Sequence, residues 1–253
     1  MLAIQRSPCR EAVAIRSLGC TEYEPTWHAM QEFTAARVAD TPDEIWLTEH
    51  PAVYTLGLAG RREHLLRDNG IPAINVDRGG QITYHGPGQL VAYLLFDLKR
   101  QGLGIRAMVR EIETSVVRWL DAMDIRAYGK PSAPGVYVMT AGGEAKIAAL
   151  GLRVRNGCTY HGLAFNVAMD LAPFADIDPC GYKGLAVTQL RDLGIARTVE
   201  QAGAELAPIL AARLAGRMSE GGVGQGSKGA SPSDCGDRHL DPSIVDRRRG
   251  GRS

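Results

Sequence analysis

The feature that most restricts the fold is a glycine-rich segment that runs directly into an apolar stretch. It extends from Arg78 to Tyr93 and reads Arg-Gly-Gly-Gln-Ile-Thr-Tyr-His-Gly-Pro-Gly-Gln-Leu-Val-Ala-Tyr. Glycine pairs let a backbone approach a ligand closely, because no side chain intervenes. The triplet at 86–88 predicts a tight turn, and residues 89–96 are apolar enough for a buried strand. A loop, a turn and a strand in this order predict a rigid rim around a pocket.

The charge balance excludes some classes of partner. The chain has 253 residues and a formal net charge of +1. A dedicated nucleic-acid binder normally carries a strong basic excess, so we expect no nucleic-acid partner. No apolar run approaches the roughly 20 residues of a membrane span, and residues 1–16 lack a secretory apolar core. We therefore expect a cytoplasmic protein without membrane association, whose five scattered cysteines are free thiols.

The composition changes towards the C-terminus. Residues 217–253 are rich in Gly, Ser, Asp and Arg and contain few bulky apolar side chains. Such a segment cannot bury enough surface to offset its chain entropy, so we expect a disordered tail. The sequence thus divides into an N-terminal extension (1–20), one globular domain (21–216) and the tail (217–253). It contains neither a strong coiled-coil pattern nor a long exposed apolar stripe, which favours a monomer.

The periodicity of apolar residues predicts both helices and strands. We expect a helix capped by Thr26, an amphipathic helix from Ile105 to Met123 and a short helix over residues 187–193. Thr198 and Gln201 fit a capping box for a last helix through Leu214. Strands are expected at residues 44–50, 53–56, 73–76, 89–96, 136–139, 145–155 and 159–169. This irregular alternation favours an α/β (α+β) fold with a mixed β-sheet flanked by helices.

Two residues could carry chemistry. Cys180 stands between Pro179 and Gly181, which would hold it on a stiff turn, and it is the candidate nucleophile. A free thiol has a pKa of about 8.5 and needs a nearby cation or base, whereas a buried cysteine without one is inert. Lys146 is conspicuous in the small, apolar run 145–151. Burial there would lower its pKa and let it activate a thiol, but it could instead lie on the solvent face of a strand.

Two histidines stand beside glycines in predicted strand regions. His85 and His161 could position a nucleophile or line a pocket, and a structural role is the alternative for each. Cys158, His161 and Cys180 could be three zinc ligands, but a fourth ligand is missing and we expect no metal. Because the sequence has neither GxxxxGK[ST] nor a strand-linked GxGxxG, it shows no local sign of nucleotide binding.

Six segments together resemble the lipoyl(octanoyl) transferase family, in order and in spacing. They are residues 49–57, 78–93, 146–155, 161–167, 170–174 and 177–181. The resemblance covers about residues 20–215. It implies that the globular domain is a catalytic domain similar to those of biotin and lipoate protein ligases. Enzymes of this family move an octanoyl group from acyl carrier protein to lipoyl domains, as the first step of endogenous protein lipoylation.

The resemblance also implies roles for individual residues. Cys180 matches the nucleophile that forms an acyl thioester, and Lys146 matches the residue that lowers its pKa, so that the two form a Cys/Lys dyad. The substrate-binding residues would be Arg78, Gly79, Gly80, Gln81, Ile82, Thr83, Tyr84, His85, Ala149, Leu150, Gly151, Gly162, Leu163 and Ala164. The implied donor is octanoyl-acyl carrier protein. The implied acceptors are the lipoyl domains of 2-oxoacid dehydrogenase E2 subunits and glycine cleavage H protein, and no cofactor is implied.

Two other functions remain open. An ATP-dependent lipoate or biotin protein ligase would use the same fold, but it would need an adenylate site and no essential cysteine. A non-catalytic module would bind acylated carrier protein or lipoyl domains stoichiometrically, without a covalent adduct or turnover.

Overall fold

The computed structural model describes residues 12–178 and 185–216. The described residues form ten strands and four α-helices. In chain order these are β1 (Ala14–Cys20), α1 (Tyr23–Ala35), β2 (Glu44–Glu49), β3 (Val53–Leu56), β4 (Ala73–Asn75), β5 (Ile82–His85), β6 (Gln89–Leu95), α2 (Leu98–Gln101), α3 (Ile105–Asp121), β7 (Ala127–Gly129), β8 (Gly135–Thr140), β9 (Gly143–Arg155), β10 (Cys158–Asn166) and α4 (Val199–Leu214).

Seven strands form a mixed sheet in the order β1-β2-β6-β10-β9-β8-β7. β1 is parallel to β2, and every other neighbouring pair is antiparallel. Helices α3 and α4 pack on one face of the sheet and α1 packs on the other. The predicted fold class, a mixed sheet flanked by helices, is confirmed.

Strand β6 shows why the centre of the sheet is apolar on both faces. Leu90, Ala92 and Leu94 belong to the core that includes α3 and α4, whereas Val91, Tyr93 and Leu95 belong to the core that includes α1. Successive side chains of a strand point to opposite faces, so a strand covered on both sides needs apolar residues at consecutive positions. All seven residues of β6 are buried. This explains the unbroken apolar run that follows the glycine-rich loop.

The second sheet is small and has the strand order β4-β3-β5. β3 pairs in parallel with β4 and antiparallel with β5. One face of this sheet has its own core, in which Tyr54 and Tyr84 pack with Phe174 and Ile177. This packing fixes β5, and with it the end of the glycine-rich loop.

The structure differs from the sequence prediction at the start of one helix and in the type of another. Helix α1 begins at Tyr23 rather than at Thr26, whose hydroxyl donates to the carbonyl oxygen of Glu22 at 2.8 Å from inside the first turn. The helix predicted over residues 187–193 is only a 3-10 turn, Arg191–Leu193, because Val187 forms a strand-like bridge to Lys146. The capping box of Thr198 and Gln201 is confirmed, and α4 continues through Pro208.

Strand β1 lies in the segment that the sequence assigns to an N-terminal extension, where no strand was predicted. Three of its seven residues are polar or glycine, and most of the strand is exposed, so its sequence carries little periodic signal. The division of the chain into 1–20, 21–216 and 217–253 stays a prediction, and the tail lies outside the described residues.

In the ranges 12–178 and 185–216, no helix has both the length and the apolar character to cross a membrane.

Candidate functional site

A narrow slot lies where the loop at 78–81 and strand β5 face strands β9 and β10. The space between its walls, including the part that is open to solvent, is about 520 Å³. Its floor on the large sheet consists of small residues that pair directly across the two strands: Ala149 opposite Ala164, and Gly151 opposite Gly162. The slot therefore suits a thin, unbranched group better than a ring system.

The glycines of the floor are required by their neighbours. A Cβ atom on Gly151 would stand 2.9 Å from the carbonyl oxygen of Gly79, and one on Gly162 would stand 2.1 Å from that of Ala92. The loop is held against β9 by a hydrogen bond of 3.0 Å, which the N–H of Gly79 donates to the carbonyl oxygen of Leu152. Loop and sheet thus meet through backbone, and this close approach creates the narrow slot.

A chain of buried hydrogen bonds begins at Arg78, on the loop side of the slot. The Arg78 guanidinium donates to the carbonyl oxygen of Thr55 at 2.6 Å and to its hydroxyl at 2.9 Å. The hydroxyl of Thr55 lies 3.3 Å from Nε2 of His85, and Nδ1 of His85 lies 2.7 Å from Oε1 of Gln89. The amide of Gln89 in turn donates to Oδ1 of Asn166 at 3.0 Å. The chain thus links the loop to β3, β5, β6 and β10.

These contacts determine the protonation of His85. The Gln89 amide nitrogen donates to Asn166, so its oxygen must accept, and Nδ1 of His85 carries the hydrogen. Nε2 then accepts from Thr55, whose hydroxyl oxygen is occupied by Arg78. Burial, reinforced by repulsion from His50 and Arg78, lowers the pKa of His85 to about 3. The side chain is therefore neutral at neutral pH.

His50 extends the same neutral, buried cluster. Its Nδ1 lies 2.6 Å from the carbonyl oxygen of Thr21, which can only accept, so Nδ1 is the donor. Nε2 accepts from the hydroxyl of Tyr93 at 2.6 Å, and the ring of Tyr23 lies 5.0 Å from that of His50. Burial lowers the pKa of His50. Tyr23 and Tyr93 both line the slot, so aromatic and imidazole groups contribute to its polar wall.

Asp77, immediately before the loop, gathers four donors. Its carboxylate accepts from Trp27 Nε1 at 2.8 Å, from Gln31 Nε2 at 3.1 Å, from His161 Nε2 at 2.9 Å and from the hydroxyl of Tyr160. Burial alone would raise the pKa of this carboxyl group, but the hydrogen bonds from His161, Tyr160 and Trp27 hold it well below its ordinary value. Asp77 is therefore ionised, and it ties α1 and β10 to the start of the loop.

Lys146 lies inside the protein and not on the solvent face of a strand. Only 4 % of the residue is exposed. Its Nζ lies 3.3 Å from the carbonyl oxygen of Pro134 and 5.1 Å from the centre of the Tyr137 ring. A Cβ on Gly135 would stand 3.2 Å from this Nζ, so glycine leaves room for it. The backbone of Lys146 pairs with residues 186–188, through hydrogen bonds of 2.8 and 3.0 Å.

The candidate nucleophile, Cys180, lies outside the described residues, as do Pro179 and Gly181. Its pairing with Lys146 stays a prediction. Of the three residues considered as zinc ligands, His161 bonds to Asp77, and the Cys158 sulfur lies 3.9 Å from the carbonyl oxygen of Asn156. Within the part of the chain that the structure describes, no group of side chains has the composition of a metal site.

Most of the residues assigned to substrate binding from the sequence come together at the slot. Twelve of the fourteen line it: Arg78, Gly80, Gln81, Ile82, Thr83, His85, Ala149, Leu150, Gly151, Gly162, Leu163 and Ala164. Gly79 instead lines a neighbouring cavity, and Tyr84 points to the opposite face of β5, where it packs on Phe174. That these residues bind a substrate stays a prediction.

Sequence reasoning missed Tyr23, Val91 and Tyr93, which also line the slot. Tyr93 and Val91 read as ordinary members of a buried strand, and Tyr23 precedes the position at which α1 was expected to start. The four-donor role of Asp77 was missed as well, although this residue directly precedes the glycine-rich loop. His161, considered as a pocket residue from its glycine neighbour, does line the slot.

Comparison with known proteins agrees with this architecture. Residues 23–208 match the model of the lipoyl protein ligase A/B catalytic domain family. A protein of Laribacter hongkongensis named Octanoyltransferase is 59 % identical over 201 residues, which are 79 % of this chain and 95 % of that protein. An Octanoyltransferase of Aromatoleum aromaticum is 61 % identical over 199 residues, 79 % of this chain and 84 % of that protein.

Solved structures share the fold at low sequence identity. A bipartite lipoate protein ligase from Thermoplasma acidophilum superimposes with a TM-score of 0.64 at 17 % identity, over 81 % of this chain and 84 % of that one. A lipoate-protein ligase A bound with ATP gives 0.65, also at 17 % identity, over 81 % and 85 %. The predicted similarity to lipoate protein ligases is confirmed at the level of the fold. By the family match over most of its length and by its relatives, the chain belongs to the lipoyl protein ligase A/B catalytic domain family.

Proposed function

We propose that this protein is an acyltransferase that moves an octanoyl group from octanoyl-acyl carrier protein to the acceptor lysine of lipoyl domains. The observation that carries the proposal is the identity of 59–61 % to two proteins named Octanoyltransferase, over nearly four fifths of this chain. The family match over residues 23–208 covers all the described residues that line the slot, since they lie within 23–164.

The shape of the slot supports an acyl substrate. Its sheet side is made of Ala149, Gly151, Gly162 and Ala164, which present no bulk. Its other wall holds neutral imidazoles whose hydrogens are already used within the protein. A saturated chain needs no hydrogen bonds, and its burial gains roughly 0.8 kcal/mol for each methylene group removed from water. A slot of this width favours such a chain over a branched or cyclic group.

The chemistry that we assign to the site begins at Cys180. Its thiolate attacks the carbonyl carbon of the octanoyl thioester, a new C–S bond forms, and the bond to the donor sulfur breaks. Lys146 takes the thiol proton of Cys180 and returns it to the departing donor thiol. The exchange of one thioester for another is nearly isoenergetic, so a moderately activated thiol suffices.

In the second half-reaction the acceptor lysine of a lipoyl domain attacks the acyl-enzyme. An amide C–N bond forms, the C–S bond to Cys180 breaks, and the amine gives up a proton to the released thiolate or to Lys146. Donor and acceptor occupy the same site in turn, which predicts ping-pong kinetics. The acceptors that we propose are the lipoyl domains of 2-oxoacid dehydrogenase E2 subunits and glycine cleavage H protein.

The position of Lys146 supports this assignment. Cys180 stands two positions after Asp178, whose N–H donates to His64, and six positions before Ala186, whose carbonyl oxygen accepts from the N–H of Lys146. Both flanks of the nucleophile segment are thus tied to the protein, and the second is tied directly to Lys146. A buried ammonium group in this environment is a suitable partner for a thiolate.

The test is intact-protein mass spectrometry after incubation with octanoyl-acyl carrier protein, without ATP. We expect a mass increase of one octanoyl group that maps to Cys180 and disappears when a lipoyl domain is added. Cys180→Ser should abolish the thioester adduct and turnover. Cys158→Ser is the matched control, because Cys158 is buried and its pKa is raised by burial, so we expect its loss to leave acylation intact.

The two other functions give different results. Acylation of the lipoyl domain that requires ATP and survives Cys180→Ser would identify a ligase. Binding of acylated carrier protein or lipoyl domain without an adduct and without turnover would identify a non-catalytic module. A Cys180→Ser variant with full transfer activity would refute the acyl-enzyme route.

A further inference from the structure

We propose that His161, held by Asp77, closes the far end of the slot and limits the length of the acyl chain that the enzyme accepts. The proposal rests on the proposed function, because it concerns the substrate of that same slot. His161 lines the slot, and only 2 % of it is exposed. We assign it the role of a specificity-determining residue, which lies on β10 whereas Lys146 lies on β9.

The backbone of His161 has an uncommon conformation that turns its side chain towards the slot. Its φ is +60°, in the left-handed region that is unfavourable for residues other than glycine. In a regular strand it would point with Leu163 and Phe165 into the core beneath α3 and α4. Instead its side chain and that of its neighbour Tyr160 reach the same carboxylate, Asp77. Strain of this kind persists only where the surroundings enforce it, and it concentrates at functional positions.

Asp77 fixes both the orientation and the tautomer of the ring. Its ionised carboxylate accepts from Nε2 of His161 at 2.9 Å, so the hydrogen of the neutral imidazole is on Nε2. Tyr160 stacks against the ring at 5.1 Å and bonds to the same carboxylate. Nδ1 is then an acceptor, and among the described residues it has no hydrogen-bond partner although it is buried.

The strand register places this imidazole at a defined distance from Lys146. The Lys146 side chain extends along β9 to Gly135, which pairs with Ala149, and Ala149 pairs with Ala164. His161 pairs with Leu152, three positions further along. At a rise of about 3.3 Å per residue, this row lies about 10 Å from the row of Ala149. An extended eight-carbon chain that starts near the Lys146 ammonium is of comparable length.

The chemistry at this end opposes a longer chain. A further methylene group would press against an imidazole that Asp77, Tyr160 and its own backbone hold in place. It would also seal Nδ1 in an apolar environment without a donor, which is costly for a buried acceptor. The wall of the slot before this point is made of small residues and imposes no such penalty. The end of the slot therefore discriminates by length.

The experiment compares octanoyl-, decanoyl- and dodecanoyl-acyl carrier protein as donors to a lipoyl domain, with the full chain. The wild-type protein should prefer the octanoyl over the decanoyl donor by roughly tenfold or more in kcat/KM, the scale on which a pocket distinguishes one or two methylene groups. His161→Gly should reduce this preference to about threefold or less, because glycine accepts the positive φ and removes the ring. Asn156→Gly is the matched control, since Asn156 also has a positive φ, of +52°, and does not line the slot.

A second substitution keeps the test decisive if the His161→Gly variant does not fold. His161→Asn keeps a residue that tolerates the left-handed region but shortens the side chain, and it should shift the preference in the same direction. A variant that loses activity equally with all three donors, or that keeps the wild-type preference, would overturn the proposal. So would a wild-type protein that transfers all three chains equally well, a result that needs no variant. Failure of the wild type to form any octanoyl adduct would instead refute the proposed function itself.

Discussion

Acidification should destabilise the fold through His85, because the native structure cannot protonate this side chain near pH 5. Nδ1 already donates to Gln89, and Nε2 faces the hydroxyl of Thr55, whose oxygen is bonded by Arg78. Only 6 % of the residue is exposed. Its pKa falls to about 3 in the native state, from an ordinary value of 6.5 that we assign to the unfolded chain.

The sign and the size of the effect follow from these two values. Above pH 6.5 neither state binds the proton, so His85 contributes nothing to the pH dependence. Between pH 6.5 and 3 the unfolded chain binds the proton and the native state does not. The free energy of unfolding therefore decreases as the pH is lowered through this range. A pH of 5 lies 1.5 units below the ordinary pKa of 6.5. Because each unit corresponds to about 1.36 kcal/mol, the free energy of unfolding at pH 5 is lower by about 2 kcal/mol.

Urea denaturation at about pH 7.5 and about pH 5 measures the effect in wild type and in His85→Gln. The variant should be less stable at both values, but its loss between them should be smaller than that of wild type by about 2 kcal/mol. His28→Gln, at an exposed histidine, should leave the wild-type difference unchanged. An equal loss in wild type and His85→Gln would refute the inference that His85 stays neutral in the native state.

Three further substitutions test the packing that surrounds the site, each by urea denaturation. Gly162→Ala should lower the free energy of unfolding by about 3 kcal/mol, because the new Cβ would stand 2.1 Å from the carbonyl oxygen of Ala92. Gly142→Ala is the control and should lower it by less than about 1 kcal/mol, because the nearest atom to its new Cβ is 3.7 Å away. Glu111→Gln should cost about 2 kcal/mol, because it removes the carboxylate 2.6 Å from Arg213, whose side chain is 2 % exposed; no loss would show that this ion pair is not stabilising. Thr198→Ala should cost about 1 kcal/mol through loss of the N-cap of α4, and an unchanged midpoint would contradict the cap assignment.

The elements with strong periodicity were predictable from the sequence. Helix α3 was expected over 105–123 and is observed at Ile105–Asp121, because its apolar face alternates with charge along its whole length. Strand β6 was predictable because burial on both faces demands an unbroken apolar run. β1 was not, since most of its side chains are exposed and its sequence therefore carries little apolar periodicity.

The site was predictable where backbone geometry dictates the residue type. The glycines at 79–80 predicted a pocket from the sequence pattern, and the family resemblance added Gly151 and Gly162, where loop and sheet come into contact. The polar wall was not predictable, because its members meet only in the folded chain. Asp77 and His161 are 84 positions apart, and His50 and Tyr93 are 43 positions apart. No local pattern encodes such pairs.

The sheet side and the far end of the slot differ in how well they should tolerate amino-acid substitutions. On the sheet side, Gly151 and Gly162 are fixed by backbone atoms that cannot move aside, so a larger residue there would distort the sheet. At the far end, His161 is held by a carboxylate and a stacked ring, and its replacement by glycine would relieve strain at a positive φ. The width of the slot is therefore set by backbone contacts, whereas in our proposal its usable length is set by one side chain. Under the proposed function, acyl-chain length is therefore the property that a single substitution should change most readily without loss of the fold.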